Sequence, residues 1–274
     1  MDALPDGSLP QPPLLTCSVP VRSDSPLQQG DLIEHSALQN VEEAKTLMIL
    51  TADCDIANGK FGNSLLCCEV LTADNYIFNT WYPRWVKKNL EKYLNKRSDK
   101  CAKVTADRFI QWASESSNDE IREALGLNEN EWSRDRKSVN FARASKLEPS
   151  TRDELVAAIL VAIGSEDKAA ANKEVVKVFQ SALPGDVAPL PDPFRDSEPR
   201  FVDLRRLHNV EIGDIAREPL SRNVKQFVRV GRLADRYIFS ISKKFADTYS
   251  RIGLPDDDQD YLEYYGQEEW GSTR

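Results

Sequence analysis

Residues 46–72, TLMILTADCDIANGKFGNSLLCCEVLT, decide how the front of this chain folds. The two ends of the stretch, TLMILTADCDI and SLLCCEVLT, are apolar or β-branched runs that read as strands. Between them Ala57-Asn58-Gly59 and Gly62-Asn63 supply the residues that turns need. Upstream the pattern repeats as LLTCSVPVR (14–22) and GDLIEH (30–35), with SDSPLQQ and SALQNVEEAK as separators. Four short runs divided by turn-forming residues predict a β-meander or small barrel over residues 14–75.

After Thr72 the period lengthens. Ile77, Trp81, Trp85, Val86, Leu90, Tyr93 and Leu94 recur every three or four residues, which predicts a helix that Pro83 kinks or interrupts. Shorter helices are expected at 106–113 and 119–125, the second stopped by Gly126. The run STRDELVAAILVAIG (150–164) has Ser150 or Thr151 as N-cap, Asp153 and Glu154 facing the helix dipole, and Gly164 as its stop. A further helix over 168–183 ends at Pro184-Gly185, so residues 76–184 form a helical region. The proline-dense stretch 185–199 predicts an extended connector. Two strands, in RFVDLRRLHNVEI and FVRVGRLADRYIF, and a helix from 234 to 252 closed by Gly253 and Pro255 follow. This segment, 200–255, is expected to pack on the barrel. A loose leader (1–13) and an acidic tail (256–274) flank the whole. The expected fold class is α+β: an N-terminal β-barrel, a helical middle and a C-terminal strand-plus-helix segment.

Composition narrows the function classes. The longest apolar run, 155–163, is about half the length that a bilayer demands, so no membrane partner is expected. The acidic, proline-containing N-terminus lacks the basic start and apolar core of a signal peptide. Five cysteines, an odd number with Cys67 and Cys68 adjacent, read as reduced thiols; together these features predict a cytoplasmic protein. With two histidines and no paired Cys-x-x-Cys, no metal site or cofactor is expected. The net charge of −8 opposes indiscriminate binding to nucleic acid, yet basic residues cluster at 84–103 and at 217–236. Those segments offer either a local nucleic-acid surface, with Arg84, Lys87 and Lys88 in it, or solvated faces balanced by the tail. Trp81, Trp85, Trp112 and Trp132 are interleaved with basic residues and serve either as stacking platforms for single strands or as helix packing.

The most unusual local feature is Asp53-Cys54-Asp55 at the end of an apolar run. Were the strand to continue, Asp53 and Asp55 would share a face, and two carboxylates there can hold a divalent metal or divide acid and base roles. Asp31, after Gly30, is the third candidate catalytic carboxylate. Cys54 would then point into the core; facing solvent as a nucleophile, it would be blunted by two flanking anions. The plainer alternative has Asp55 capping the turn and Asp53 pairing with a lysine or a backbone amide. Gly30-Asp31 likewise reads as a turn with an Asx hydrogen bond, and His35 could meet Asp31 and Asp53 only if the barrel brings them together. His208, beside Arg205 and Arg206, is either a general base or an edge-strand residue. No GxxxxGK[ST], GxGxxG, GxSxG or HExxH motif occurs, so nucleotide hydrolysis, dinucleotide binding and serine hydrolysis lose their usual support.

The order GDLIEH followed by MILTADCDI resembles the SH3-like barrel of the PemK/MazF toxins over residues 15–75. That family cleaves single-stranded RNA with an arginine ahead of the second strand and a serine or threonine after it. Here Lys45 and Thr46 precede Leu47, Thr51 follows Leu50, and the arginine is missing. Across most of the chain, ILTADCDIA, FVDLRRLHNV and the RIGLP ending also resemble an uncharacterised bacterial family found in mobile or defence cassettes. The resemblance implies a non-enzymatic interaction or regulatory component of a defence or toxin-antitoxin-like cassette, whose partner is a protein from a neighbouring gene. The binding residues are then Thr51, Cys54, Arg84, Lys87, Lys88, Arg205, Arg206 and His208. The competing expectation is a divergent metal-dependent nuclease acting on RNA or DNA through Asp53 and Asp55.

Overall fold

A computed structural model describes residues 17–22, 24–35, 45–60, 62–96, 103–180, 182–196, 198–216 and 226–250. The leader, the acidic tail, the Gly253/Pro255 stop, Cys101 and the basic residues Arg97, Lys100, Arg217, Arg222 and Lys225 lie outside them. The protein is mixed α+β and divides into two compact units. One takes the described residues of 1–70, 185–197 and 202–274, the other those of 71–184 and 198–201.

The described strands are β1 (Ser18–Val19), β2 (Asp31–His35), β3 (Thr46–Ile49), β4 (Ser64–Thr72), β5 (Val187–Leu190), β6 (Arg200–Glu211), β7 (Ile215–Ala216) and β8 (Phe227–Leu233). The described helices are α1 (Asp53–Ala57), α2 (Ala73–Tyr76), α3 (Tyr82–Leu94), α4 (Ala106–Glu115), α5 (Asn118–Ala124), α6 (Glu129–Ala144), α7 (Arg152–Ile163), α8 (Lys168–Gln180) and α9 (Asp235–Tyr249).

In the first unit the strands curl into a half-barrel sheet in the order β1-β8-β2-β3-β4-β6-β5, with β7 paired in parallel to β8. The β2-β3-β4 meander follows its sequence, pairing Leu32 with Met48 and Met48 with Cys68. The C-terminal segment does more than pack on these strands, because β8 is inserted between β1 and β2. Both faces of the sheet are covered. Leu32, Met48, Cys68 and Val70 pack on one side with Ile241 of α9, while Ile33, Leu47, Leu65 and Cys67 pack on the other with Val210 and Ile215. A strand buried on both sides has no need of alternation, which is why 65–71 reads as a nearly unbroken apolar run.

Two expectations fail here. The apolar strand does not run on through Asp53-Cys54-Asp55; β3 ends at Ile49 and the three residues open the one-turn helix α1. The cause is local. Thr51 turns its Oγ1 back to accept from the Leu66 amide at 2.7 Å, and Ala52 takes an extended conformation that begins a helix. The proline-dense stretch is not wholly a connector either. Val187, Ala188 and Leu190 are buried in β5, which lies at the sheet edge where Pro189 has no ladder bond to forgo.

The second unit is helical. Between α2 and α3 the chain widens into a π-helical turn, Ile77–Trp81, closed by the Tyr82 amide donating to the Ile77 carbonyl. Pro83 explains it: with no N–H, and with a ring that crowds the carbonyl four residues back, it cannot continue a regular helix from below. The expected interruption is thus a widened turn. Helix α6, which periodicity does not reveal, lies against α3, α4 and α7. Its buried positions include Asp135, Ser138 and Asn140 beside Val139 and Phe141, so its inward face is mixed rather than an apolar stripe. Arg143 binds it to the neighbouring turn, donating to the Ala113 and Ser116 carbonyls and to Asn118.

Candidate functional site

The three aspartates singled out by sequence have separate partners. Asp53 Oδ1 accepts from the Gln29 amide at 2.7 Å. Asp55 lies in the first turn of α1, where the helix N-terminus favours a carboxylate, and Cys54 between them is exposed rather than core. Asp31 is fully buried and accepts from Arg232 Nε at 2.6 Å, from Arg229 Nη1 at 3.4 Å and from the Gln28 amide at 3.0 Å. Its two arginines also hold the carbonyls of Arg22 and Pro26, so the network fastens Arg22, Pro26 and Gln28 to β8. Among the described residues no group of three or more His, Cys, Asp or Glu side chains is arranged to hold a metal ion. Thr51, committed to the Leu66 amide, serves the backbone.

His208 has acquired a carboxylate. Its Nε2 lies 2.8 Å from Glu69 Oε1, which also takes Lys45 Nζ at 2.8 Å, while Arg206 Nη1 reaches Oε2 at 3.3 Å. One glutamate therefore gathers three basic groups from β6 and the residue before β3. Burial alone would raise the Glu69 pKa; the hydrogen bonds from Lys45 and His208, the Lys45 charge and the Arg206 hydrogen bond outweigh it and hold the carboxyl below its ordinary value. Arg205 faces Asp186 at 2.6 Å. These contacts make the Arg205, Arg206 and His208 group a set of cross-strand clamps. His35, edge-on to Phe227 at 5.2 Å between centroids, makes no described contact with Asp31 or Asp53.

The helical unit holds a different kind of site. A cleft of about 330 Å³ lies among Tyr76 of α2, Trp81 of the π turn, Arg84, Trp85 and Lys88 of α3, and Glu174, Lys177 and Val178 of α8, with residues 182–184 at its edge. Trp81 and Trp85 are stacked, with centroids 5.5 Å apart and planes 24° from parallel. Both are half-buried, unlike Trp132, which is core. Lys88 is exposed and makes no ion pair among the described residues, Glu174 is paired with Lys177, and Lys87 is exposed outside the cleft. The cleft thus offers apolar ring faces beside an excess of positive charge, and it lies within the usual size range for small-ligand sites. Residues 71–184 carry slightly more Lys and Arg than Asp and Glu, although the chain as a whole is strongly acidic.

Of the sequence candidates, then, Arg84 and Lys88 are brought together with Trp81 and Trp85. Lys177 and Glu174 were not foreseen, since nothing in α8 marks them apart from ordinary helix charges. The α6 residues near Tyr93 were missed as well; the one available signal was the capping box that Asn128 and Glu131 form. No protein-family model, curated protein or solved structure matches this chain.

Proposed function

We propose that this protein is a non-enzymatic binding component whose helical unit takes a nucleotide unit, base and phosphate together, in the cleft between α3 and α8. The observation that carries the reading is the stacked Trp81/Trp85 pair opening onto a cleft where Arg84, Lys88 and Lys177 outnumber Glu174. Aromatic faces take bases of any kind by stacking, each worth about 1–3 kcal/mol, and the adjacent cations take phosphate. Neither property needs a catalytic group.

Its setting in a bacterial defence or toxin-antitoxin-like cassette, with a partner protein from a neighbouring gene, rests on the resemblance of the TADCDI and RIGLP segments. The likeness of the N-terminal strands to an SH3-like barrel is in keeping with the curled sheet. In this reading that sheet is a scaffold, and its Asp53 to Asp55 turn is a recognition surface for the partner.

Calorimetric titration of the full chain with AMP and UMP tests the proposal. Saturable binding to both is expected, lost in Trp81→Ala and weakened about fivefold or more in Lys88→Glu, in keeping with a phosphate contact. Heat of dilution alone at millimolar nucleotide, from protein shown folded by circular dichroism, overturns it.

A further inference from the structure

The aromatic contacts do not stop at the cleft. Trp85 meets Phe141 edge-on at 5.2 Å, and Phe141 stacks on Tyr93 at 5.4 Å with planes 24° apart. Two cations flank the Tyr93 ring: Lys92 Nζ at 5.4 Å and Lys137 Nζ at 5.7 Å from its centroid. Lys137 also lines a second hollow, of about 280 Å³, with Trp132, Ser133, Arg136 and Asn140. The one carboxylate there, Glu129, is engaged by Arg122 at 2.7 Å. Arg84, Lys88 and Lys92 follow one another at intervals of four, a row of cations roughly 6 Å apart along one face of α3. Trp85 and Tyr93 directly follow two of these cations, Arg84 and Lys92, and Trp81 stacks on Trp85 from the π turn before the helix.

A lone mononucleotide has use for one aromatic face and one or two cations. It has no use for a second hollow or for a cation row between the two. We infer that α3 and α6 form a track for single-stranded nucleic acid, with one base in the Trp81/Trp85 cleft, the backbone following Arg84, Lys88 and Lys92, and a second unit in the hollow at Arg136 and Lys137. The inference rests on the nucleotide reading of the cleft and adds to it the polymer and its path. Single strands are favoured over duplexes because stacking requires unpaired base faces, and the regular spacing of the cations suits successive phosphates of an extended strand. The local charge excess supplies the attraction that the acidic chain as a whole withholds.

The test compares the full chain binding AMP, and oligo(dA) and oligo(U) of three, six and twelve nucleotides, with a paired twelve-nucleotide duplex. Affinity should rise with length for single strands, fall steeply with salt, and be at least tenfold weaker for the duplex. Arg136→Glu/Lys137→Glu, both exposed on α6, should cost about tenfold in affinity for the twelve-mer and make the salt slope shallower by about 1.4, while AMP binding is unchanged. If AMP binds but length brings no gain, or the double variant binds the twelve-mer normally, the track is overturned and the cleft stands. If AMP does not bind at all, the cleft reading falls first and the track with it. Equal binding of polyglutamate of matching charge would make the surface merely electrostatic and would overturn the inference too.

Discussion

Asp31 and Arg232 face each other as register partners across the β2/β8 pair, joined by a 2.6 Å hydrogen bond from Arg232 Nε to Asp31 Oδ1. Behind them Arg229, whose side chain is 2% exposed, depends on the same carboxylate. Asp31→Asn would remove a negative charge buried beside both guanidinium groups, at an expected cost of about 3–5 kcal/mol in chemical denaturation. A loss under about 1 kcal/mol would mean that the pair behaves as an exposed one does.

The Glu69 clamp predicts acid sensitivity with a definite sign. The folded carboxyl has its pKa below the ordinary 4.5, so the stabilisation is complete above that value and is lost as pH falls through the folded one. Glu69→Gln should therefore lower stability by about 2 kcal/mol at neutral pH, the scale of a charged hydrogen bond. The gap between variant and parent should close on acidification. Parallel urea melts at neutral and acid pH check it, and a gap that is constant or widens in acid contradicts the clamp.

Thiol chemistry tests how β4 is packed. Among the four described cysteines only Cys54 is exposed. Burial pushes Cys17 and Cys67 up to about 12, and burial chiefly raises Cys68 well above its ordinary value. In a Cys101→Ser background, one thiol should react with DTNB in the native protein and three more only after unfolding in guanidinium. Two or more fast native thiols would show that one face of the sheet is open.

What the sequence disclosed and what it hid divide along one line, the range of the interaction concerned. Strand runs, the Thr151 cap and the Gly164 stop are local, and they are where local chemistry puts them. Insertion of β8 between β1 and β2 depends on pairing across some two hundred residues, through contacts such as Asp31 with Arg232 that neither segment advertises alone. Asp53 and Asp55 misled because their strand is ended by a side chain, Thr51 Oγ1, bonding to a backbone amide on another strand. Trp81, Trp85, Arg84 and Lys88 share one helical segment and could be read as neighbours. Lys177, on the opposite wall of the cleft, could not, because helix packing alone brings α8 there. Helix α6 escaped notice because its buried face contains Asp135, Ser138 and Asn140, which weaken any apolar period.

Gly30 is held between β3, β8 and α9, and the fold leaves it little freedom. Its amide donates to the Ile49 carbonyl at 2.8 Å, its carbonyl accepts from the Leu233 amide at 2.9 Å, and its φ of +83° is one that L-residues avoid. A Cβ here would sit 2.5 Å from both Cδ1 and Cγ1 of Ile238 on α9. Gly30→Ala therefore meets two penalties, backbone strain of about 1 kcal/mol and a clash that forces the Ile238 side chain, or the helix that carries it, to shift, for a total loss of about 3 kcal/mol. Ile238→Ala alone should cost about 2 kcal/mol through lost packing. Combining them removes the clash but not the strain, so the double variant should be less destabilised than the sum of the singles by about 1 kcal/mol or more. Strict additivity would mean that strain in φ alone accounts for the glycine, and that α9 can move away from the β2 turn without cost.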